Sequence, residues 1–369
     1  MNRRARAPAT VLARIASAAL LGLAPGCDEA PCGGRGVICT LAGTGTAAFD
    51  GDGRAATETS LYLPSAVRLG PDARVYVMDF NNMRLRRIDE DGRMSTVVGN
   101  GVHAIAAEGA LAKNTPLENP IDFRFASDGA LVFVSYHDPR VFRLDAKDRV
   151  VVLAGSDVPG DDGDGGPALD AHFDELTALA LGANGEVYVS DEKRHRVRVV
   201  VDGLVQALAG TGEPGYAGDG GPAVAAKLRE PSGVTLDTDG ALLIADTGNH
   251  VVRRVDGAGN ITTVAGTGTR GLAGDAGPAI LASLDSPRAI AVDERGNIYV
   301  ADSGNHRIRK IASDGAITTI AGTGAGYAGE GELATEAELR GPRGLEITAD
   351  RIFFADQKNH AARVIYRTD

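Results

Sequence analysis

The chain has 369 residues, a formal net charge of −11, 49 glycines, three cysteines and no tryptophan. The acidic balance excludes a general attraction to nucleic acid or to anionic lipid. Glycine this abundant without a collagen triplet period points to a turn-dense all-β protein, and the 43% apolar content suffices for a packed core.

In chain order, the first element is a targeting segment rather than part of the fold. Arg3, Arg4, Arg6 and Arg14 make a basic start, followed by an apolar stretch, Ile15 to Ala24, that is too short for a membrane span. It ends in Leu-Gly-Leu-Ala-Pro-Gly-Cys27, which resembles the lipobox of bacterial lipoproteins. That resemblance implies lipidation at Cys27, although Ala24 and Pro25 depart from the usual pattern; ordinary signal cleavage is the alternative. The expected division is a signal peptide over 1–26, a linker over 27–35 and a single repeat domain over 36–369. The expected location is outside the cytoplasm, on the periplasmic side of a membrane or at the cell surface, held by a lipid anchor. In an oxidising compartment Cys32 and Cys39 are the natural disulfide pair once Cys27 carries lipid, with two free thiols as the alternative.

From residue 41 onward one phrase recurs. Leu-Ala-Gly-Thr-Gly and its variants place glycines at 43, 99, 155, 210, 266 and 322, at intervals of 56, 56, 55, 56 and 56 residues. Each unit runs through a glycine-rich acidic loop, a short Ala/Leu stretch that suits one helical turn opened by proline, and four short strands. In the fifth unit these strands are Pro287–Asp293, Ile298–Asp302, His306–Ile311 and Ala316–Ala321, each with the alternation and β-branched content of a strand. Six four-stranded units repeated radially predict a six-bladed all-β propeller. The last unit stops after its third strand, Ala361–Tyr366, while Val37–Ala42 aligns with fourth strands. The N-terminal strand is therefore expected to pair in blade six and close the ring.

The stretches Tyr299–Arg309, Leu243–Arg253, Tyr188–Arg198, Phe353–Arg363 and, less well, Tyr76–Arg86 carry a Tyr-Val-Ala-Asp-x-x-Asn-His-x-Ile-Arg pattern. This resembles the NHL repeat over about residues 36–369. The resemblance implies a propeller whose members include binding modules and also lactonases and lyases that use metal or histidine at the channel mouth. No family catalytic set matches this chain residue by residue, and catalytic residues are therefore assigned to none.

Several side chains stand out as site candidates. The turn residues His195, His250, His306 and His360, and the strand-end residues Asp79, Asp191, Asp246, Asp302 and Asp356, recur with the repeat. They are read as fixing their own turns by hydrogen bonds. Blade two departs, with Tyr136 read at the aspartate position and Pro139 in a shortened turn. Asp50, Asp52, Asp161, Asp162 and Asp164 are oxygen donors in flexible loops, and calcium is considered at Asp161, Asp162 and Asp164, although no complete calcium-loop signature is present. No other cofactor is implied. Gly210-x-Gly212-x-x-Gly215 matches a dinucleotide fingerprint formally but lacks its strand–turn–helix setting. On the inner strands Arg68, Asp122, Arg124 and Glu346 interrupt a run of small residues. With Arg343 they form an expected polar patch at one side of the channel.

Two functional expectations follow. The first is a monomeric, non-catalytic cell-envelope scaffold that binds a protein or glycan through its loop face, with no nucleic acid and with membrane contact only through the lipid anchor. The second is a lactonase- or lyase-like enzyme with a metal at the channel mouth.

Overall fold

The computed structural model describes residues 32–368; the stretch read as a signal peptide and Cys27 lie outside the described residues. Six antiparallel four-stranded sheets stand around a common axis as a six-bladed propeller. Their inner strands are Ala66–Leu69, Pro120–Phe125, Leu176–Leu181, Pro231–Leu236, Pro287–Val292 and Pro342–Ile347. Each blade's second strand is buried on both faces, because neighbouring blades cover it from either side, so it carries a nearly continuous apolar run such as Leu242–Asp246. The core is consequently a series of layers between blades. Ile121, Val134, Phe173, Leu179 and Val189 pack blade two on blade three, and Leu243, Val252, Leu284, Ile290 and Val300 pack blade four on blade five.

The ring closes as the repeat pattern implies. The strand Ile38–Ala42 pairs antiparallel with Ala361–Tyr366, matching Ile38 to Ile365 and Thr40 to Arg363. The clasp is reinforced sideways: Thr40 donates from its backbone N–H and its hydroxyl to the two oxygens of Glu330, each at 2.7 Å. Ala334 N–H donates to the Gly36 carbonyl at 2.8 Å. Cys32 and Cys39 are disulfide-bonded with Cα atoms 6.0 Å apart. Cys39 is buried, whereas Thr262 and Thr318 at the same strand position are exposed; the lead-in segment covers it.

The recurrent glycine has a concrete cause. Gly266 sits at φ +94°, and a Cβ there would lie 2.5 Å from the carbonyl oxygen of His250 in the adjoining turn. Gly43, Gly99, Gly155, Gly210 and Gly322 share the positive φ and the same close approach to a turn carbonyl. The Ala/Leu stretch is a single 3₁₀ turn. Pro167, Pro222 and Pro278 cap it in extended conformation, one position before the helical residue expected of them.

Candidate functional site

The loops that join an outer strand to the next inner strand meet the turns between second and third strands on one face. The amide of Asn249 ties them together, donating to Asp246 at 2.8 Å in its own turn and to the Gly215 carbonyl of the loop at 2.6 Å. Asn82, Asn305 and Asn359 repeat the arrangement.

Beneath this face lies a repeated ionic network. Asp246 accepts the backbone N–H of Arg229 at 2.7 Å, and its other oxygen is 3.3 Å from the fully buried guanidinium of Arg253. Arg253 in turn pairs at 2.6 Å with the loop acid Asp219. The same loop-acid-to-arginine link joins Asp52 to Arg86, Asp164 to Arg198, Asp275 to Arg309 and Glu330 to Arg363. Burial pushes the carboxyls of Asp79, Asp191, Asp246 and Asp302 up to about 6, opposed by the backbone N–H groups, asparagine amides and arginines that stabilise the charge. The strand-end aspartates reach beyond their own turns: each accepts a backbone N–H 16–17 residues upstream, at Tyr62, Asp174, Arg229, Asp285 and Arg340, and Asp191 alone also takes a local one, from Arg194. The repeated histidines do more than fix their own turns. His195, His250, His306 and His360 stand in the left-handed region, and each Nδ1 accepts a backbone N–H of the next blade, at Glu230, Ser286, Gly341 and Leu63 respectively. They clasp neighbouring blades together.

Blade two lacks this network. Strand register places Ser135 opposite Pro120, as Asp302 stands opposite Pro287, so Ser135 occupies the aspartate position and Tyr136 follows it. The shortened turn had displaced the alignment by one residue. Phe142 replaces the buried arginine and stacks on Phe133 with centroids 5.1 Å apart. Tyr136 instead reaches blade three, donating its hydroxyl to Glu175 at 2.8 Å, and burial among these carboxylates pushes the phenol well above its ordinary value.

The expected channel patch is assembled by the fold. Arg68 pairs with Asp122 at 2.7 Å and lies 3.5 Å from Glu346, and it donates to the carbonyls of Phe123 and Leu345. Arg124 shares the Asp122 carboxylate at 3.1 Å, and Asp122 also accepts the backbone N–H of Leu179 at 3.2 Å. Burial raises the carboxyls of both Asp122 and Glu346, while Arg68 opposes the shift. The cluster largely neutralises itself. The channel pocket beside it is small, about 20 Å³, roughly room for one water. Backbone crowding explains why, since a Cβ on Gly233 would lie 2.8 Å from the Cα of Ala289.

Arg343 lines the same pocket as Arg68, Asp122 and Arg124. Arg288 beside it lies 3.9 Å from Glu192, but Arg343 has no ion-pair partner among the described residues. Burial and the neighbouring Arg288 push its guanidinium down to about 10.

The loop acids weighed for calcium are not gathered into one site. Asp164 pairs with Arg198, Asp162 hydrogen-bonds His172, and Asp161 lies 4.0 Å from Arg196. Asp52 is bound to Arg86 and Thr96, and Asp50 accepts the backbone N–H of Ser60.

Sequence reasoning missed a second feature of this face. The residue after the loop position that Asn249 grips is Tyr216; its counterparts are Phe49, Leu272 and Tyr327. Ile105 takes the position in blade two, and Asp161 takes it in blade three. The five apolar side chains are 40–48% exposed and are spaced one per blade. Three lie over the buried network: Phe49 has the Arg86 guanidinium 5.1 Å from its centroid, Tyr216 has Arg253 at 5.2 Å and Tyr327 has Arg363 at 5.3 Å. The signal was available as an apolar residue between the glycine phrase and the acidic loop, but varied side chains obscured it.

Comparisons with known proteins agree with the architecture. The Teneurin NHL domain family model matches residues 204–273 and 265–328. The chain is 28% identical over 354 residues to Teneurin-m of Drosophila melanogaster, covering 86% of this chain and 12% of that protein. It is 30% identical over 271 residues to NHL repeat-containing protein 2 of Homo sapiens, covering 64% of this chain and 37% of that protein. The chain thus spans well under half the length of these relatives. Among solved structures, a protein of unknown function from Bacteroides thetaiotaomicron superposes with a TM-score of 0.66 at 15% identity, over 89% of this chain and 74% of that one. An auxiliary nutrient binding protein from Bacteroides ovatus gives 0.64 at 16% identity, over 89% and 76%. A gluconolactonase from Xanthomonas campestris gives 0.56 at 14% identity, over 89% of both chains.

Proposed function

Taking the chain as an NHL-repeat propeller, we propose that it is a non-catalytic binding scaffold that docks a protein or glycan on its loop face. The observation that carries this reading is the ring of exposed apolar side chains at Phe49, Ile105, Tyr216, Leu272 and Tyr327, set around a channel with room for about one water. A ring of this kind, on a rigid frame, supplies aromatic platforms that suit sugar faces or apolar protein anchors. Arg343, half-buried in the channel, offers a charge-assisted hydrogen bond to an acidic group that reaches it. Small-molecule pockets run to several hundred Å³, which the narrow channel does not supply. The basic, apolar and cysteine-ended N-terminus supports export and anchoring through Cys27.

A second reading, a lactonase- or lyase-like enzyme, draws support from the gluconolactonase among the structural neighbours. The two are separated by one set of measurements. The scaffold reading expects retention of the wild-type chain on particular acidic polysaccharides or envelope proteins, and loss of that retention in the triple variant F49S/Y216S/Y327S at unchanged melting temperature. It also expects no turnover of aldonolactones. Chelator-sensitive lactone hydrolysis, or retention indifferent to the triple substitution, overturns it.

A further inference from the structure

Blade two carries two histidines that the repeat does not explain. His103 lies on the loop entering the blade and His137 on its shortened turn, and both are fastened to the same strip of backbone. His103 forms a parallel bridge with Leu117; Leu117 N–H donates to the Val102 carbonyl at 3.2 Å, and Ala104 N–H donates back to Leu117 at 3.3 Å. From the other side, Tyr136 N–H donates to the Asn119 carbonyl at 2.8 Å and His137 N–H to the Glu118 carbonyl at 3.4 Å. The backbone thus delivers His103, Glu118 and His137 side by side, with their donor atoms all within 4.8 Å of one another. The same hydrogen bonds place Ala47, Tyr62 and Asn81 at these positions in blade one, and Ala325, Arg340 and Lys358 in blade six. The constellation belongs to blade two and is not a by-product of the repeat.

Its polar contacts are oversubscribed. His103 Nε2 stands 3.0 Å from Glu118 Oε1 and 2.8 Å from Asn119 Oδ1, and the same Asn119 oxygen is 3.1 Å from His137 Nδ1. One imidazole nitrogen faces two acceptor oxygens with at most one proton to share between them. Glu118 has His103 as its single ion-pair partner among the described residues, whereas the loop acids of the other blades are matched by buried arginines. A cation placed between these side chains would engage the carboxylate and both imidazoles at once. The 3.0 Å separation of nitrogen and oxygen is close to the edge of about 3.3 Å expected of a tetrahedron built on metal–ligand bonds of about 2.0–2.1 Å. Both histidines are exposed, so an ion has an entry path and an open coordination position.

We propose that His103, Glu118 and His137 bind one divalent transition-metal ion of the zinc type at the loop face of blade two. Two imidazole donors favour such an ion over Ca²⁺ or Mg²⁺, which prefer oxygen throughout. The site is built from one blade and stands whether or not the loop face docks a macromolecule.

The test uses the full chain, stripped with chelator and titrated with Zn²⁺ by calorimetry, with Co²⁺ absorption as a second readout. The expected result is one Zn²⁺ per chain. H103A, H137A and E118Q should each weaken binding at least about tenfold, and the H103A/H137A double variant should lose both the calorimetric site and the Co²⁺ spectrum. H172A, which alters a half-buried histidine of blade three, should leave binding unchanged. Circular dichroism and melting establish that the variants are folded. Absence of stoichiometric binding at micromolar Zn²⁺, full binding by the folded double variant, or displacement of Zn²⁺ by equimolar Ca²⁺ overturns the assignment.

Discussion

Gly266 and His306 show how much of the ring's order rests on single residues. At φ +94° with a turn carbonyl in the space a Cβ would fill, Gly266→Ala carries both backbone strain and a steric clash. The expected loss is about 2–5 kcal/mol, read as a large drop in melting temperature; Gly315→Ala, at positive φ with open space around it, should cost distinctly less. His306 must be neutral at Nδ1 to accept the Gly341 N–H. Burial, aided by Lys358 and Arg340, holds its imidazole below the ordinary value, and burial does the same at His195 and His360. The unfolded chain therefore takes up protons at about 6.5, before the native turns do. The stability these neutral rings contribute is complete above that pH and is lost as pH falls from there toward their native values. The buried aspartates pushed up to about 6 act in the opposite sense, because the native state keeps their protons where the unfolded chain has released them. The histidine effect must be isolated as a difference. His306→Ala should lose about 1–3 kcal/mol near pH 7.5 by orphaning the N–H, and the gap in melting temperature from wild type should narrow at pH 5.5.

At the scale of elements, the channel cluster and the clasp make separate predictions. Arg68→Met leaves Asp122 buried without its main cation, an expected cost of about 3–5 kcal/mol, while the double change Arg68→Met with Asp122→Leu should recover only part of it, since Glu346, Arg124 and the Leu179 N–H then lose their partners; urea unfolding of the three proteins checks this. The Cys32–Cys39 bridge closes a short loop, so replacing both with serine should cost about 2–3 kcal/mol on chain-entropy grounds, far less than deleting the strand Ile38–Ala42. The strands and the clasp were legible in the chain because each repeat re-uses the same contacts. Contacts between distant positions were not legible. The loop acids read alone as turn chemistry or calcium donors, since Arg253 and Asp219 meet across 34 residues and no local pattern links them. Register, not spelling, moved the aspartate position of blade two from Tyr136 to Ser135. His103, Glu118 and His137 escaped for the same reason: they come from a loop, a strand approach and a turn, and share no short motif.

For the whole molecule, uniformity is broken at the two junctions that flank blade two. The histidine clasp links blade three to four, four to five, five to six and six to one. Blade one offers Met83 at that position and blade two offers Pro139 in its turn, so neither can make the bond. Hydrogen exchange should therefore register earlier opening of the inner and second strands of blade two than of blade four or five. Equal protection across all six blades would count against the histidine as a determinant of junction strength.

The clasp also sets an order in time. Its first strand leaves the ribosome early, yet its partner Ala361–Tyr366 follows roughly 320 residues later, a wait of about 15–65 s at typical synthesis rates of about 5–20 residues per second. Throughout that interval the edge of the strand Ile38–Ala42 and the face of blade one that packs on blade six stay bare. Moving residues 32–42 to follow Thr368, so that the Cys32–Cys39 bridge travels with the strand, would make the two partners contemporaries and should shorten the vulnerable period without altering the finished ring.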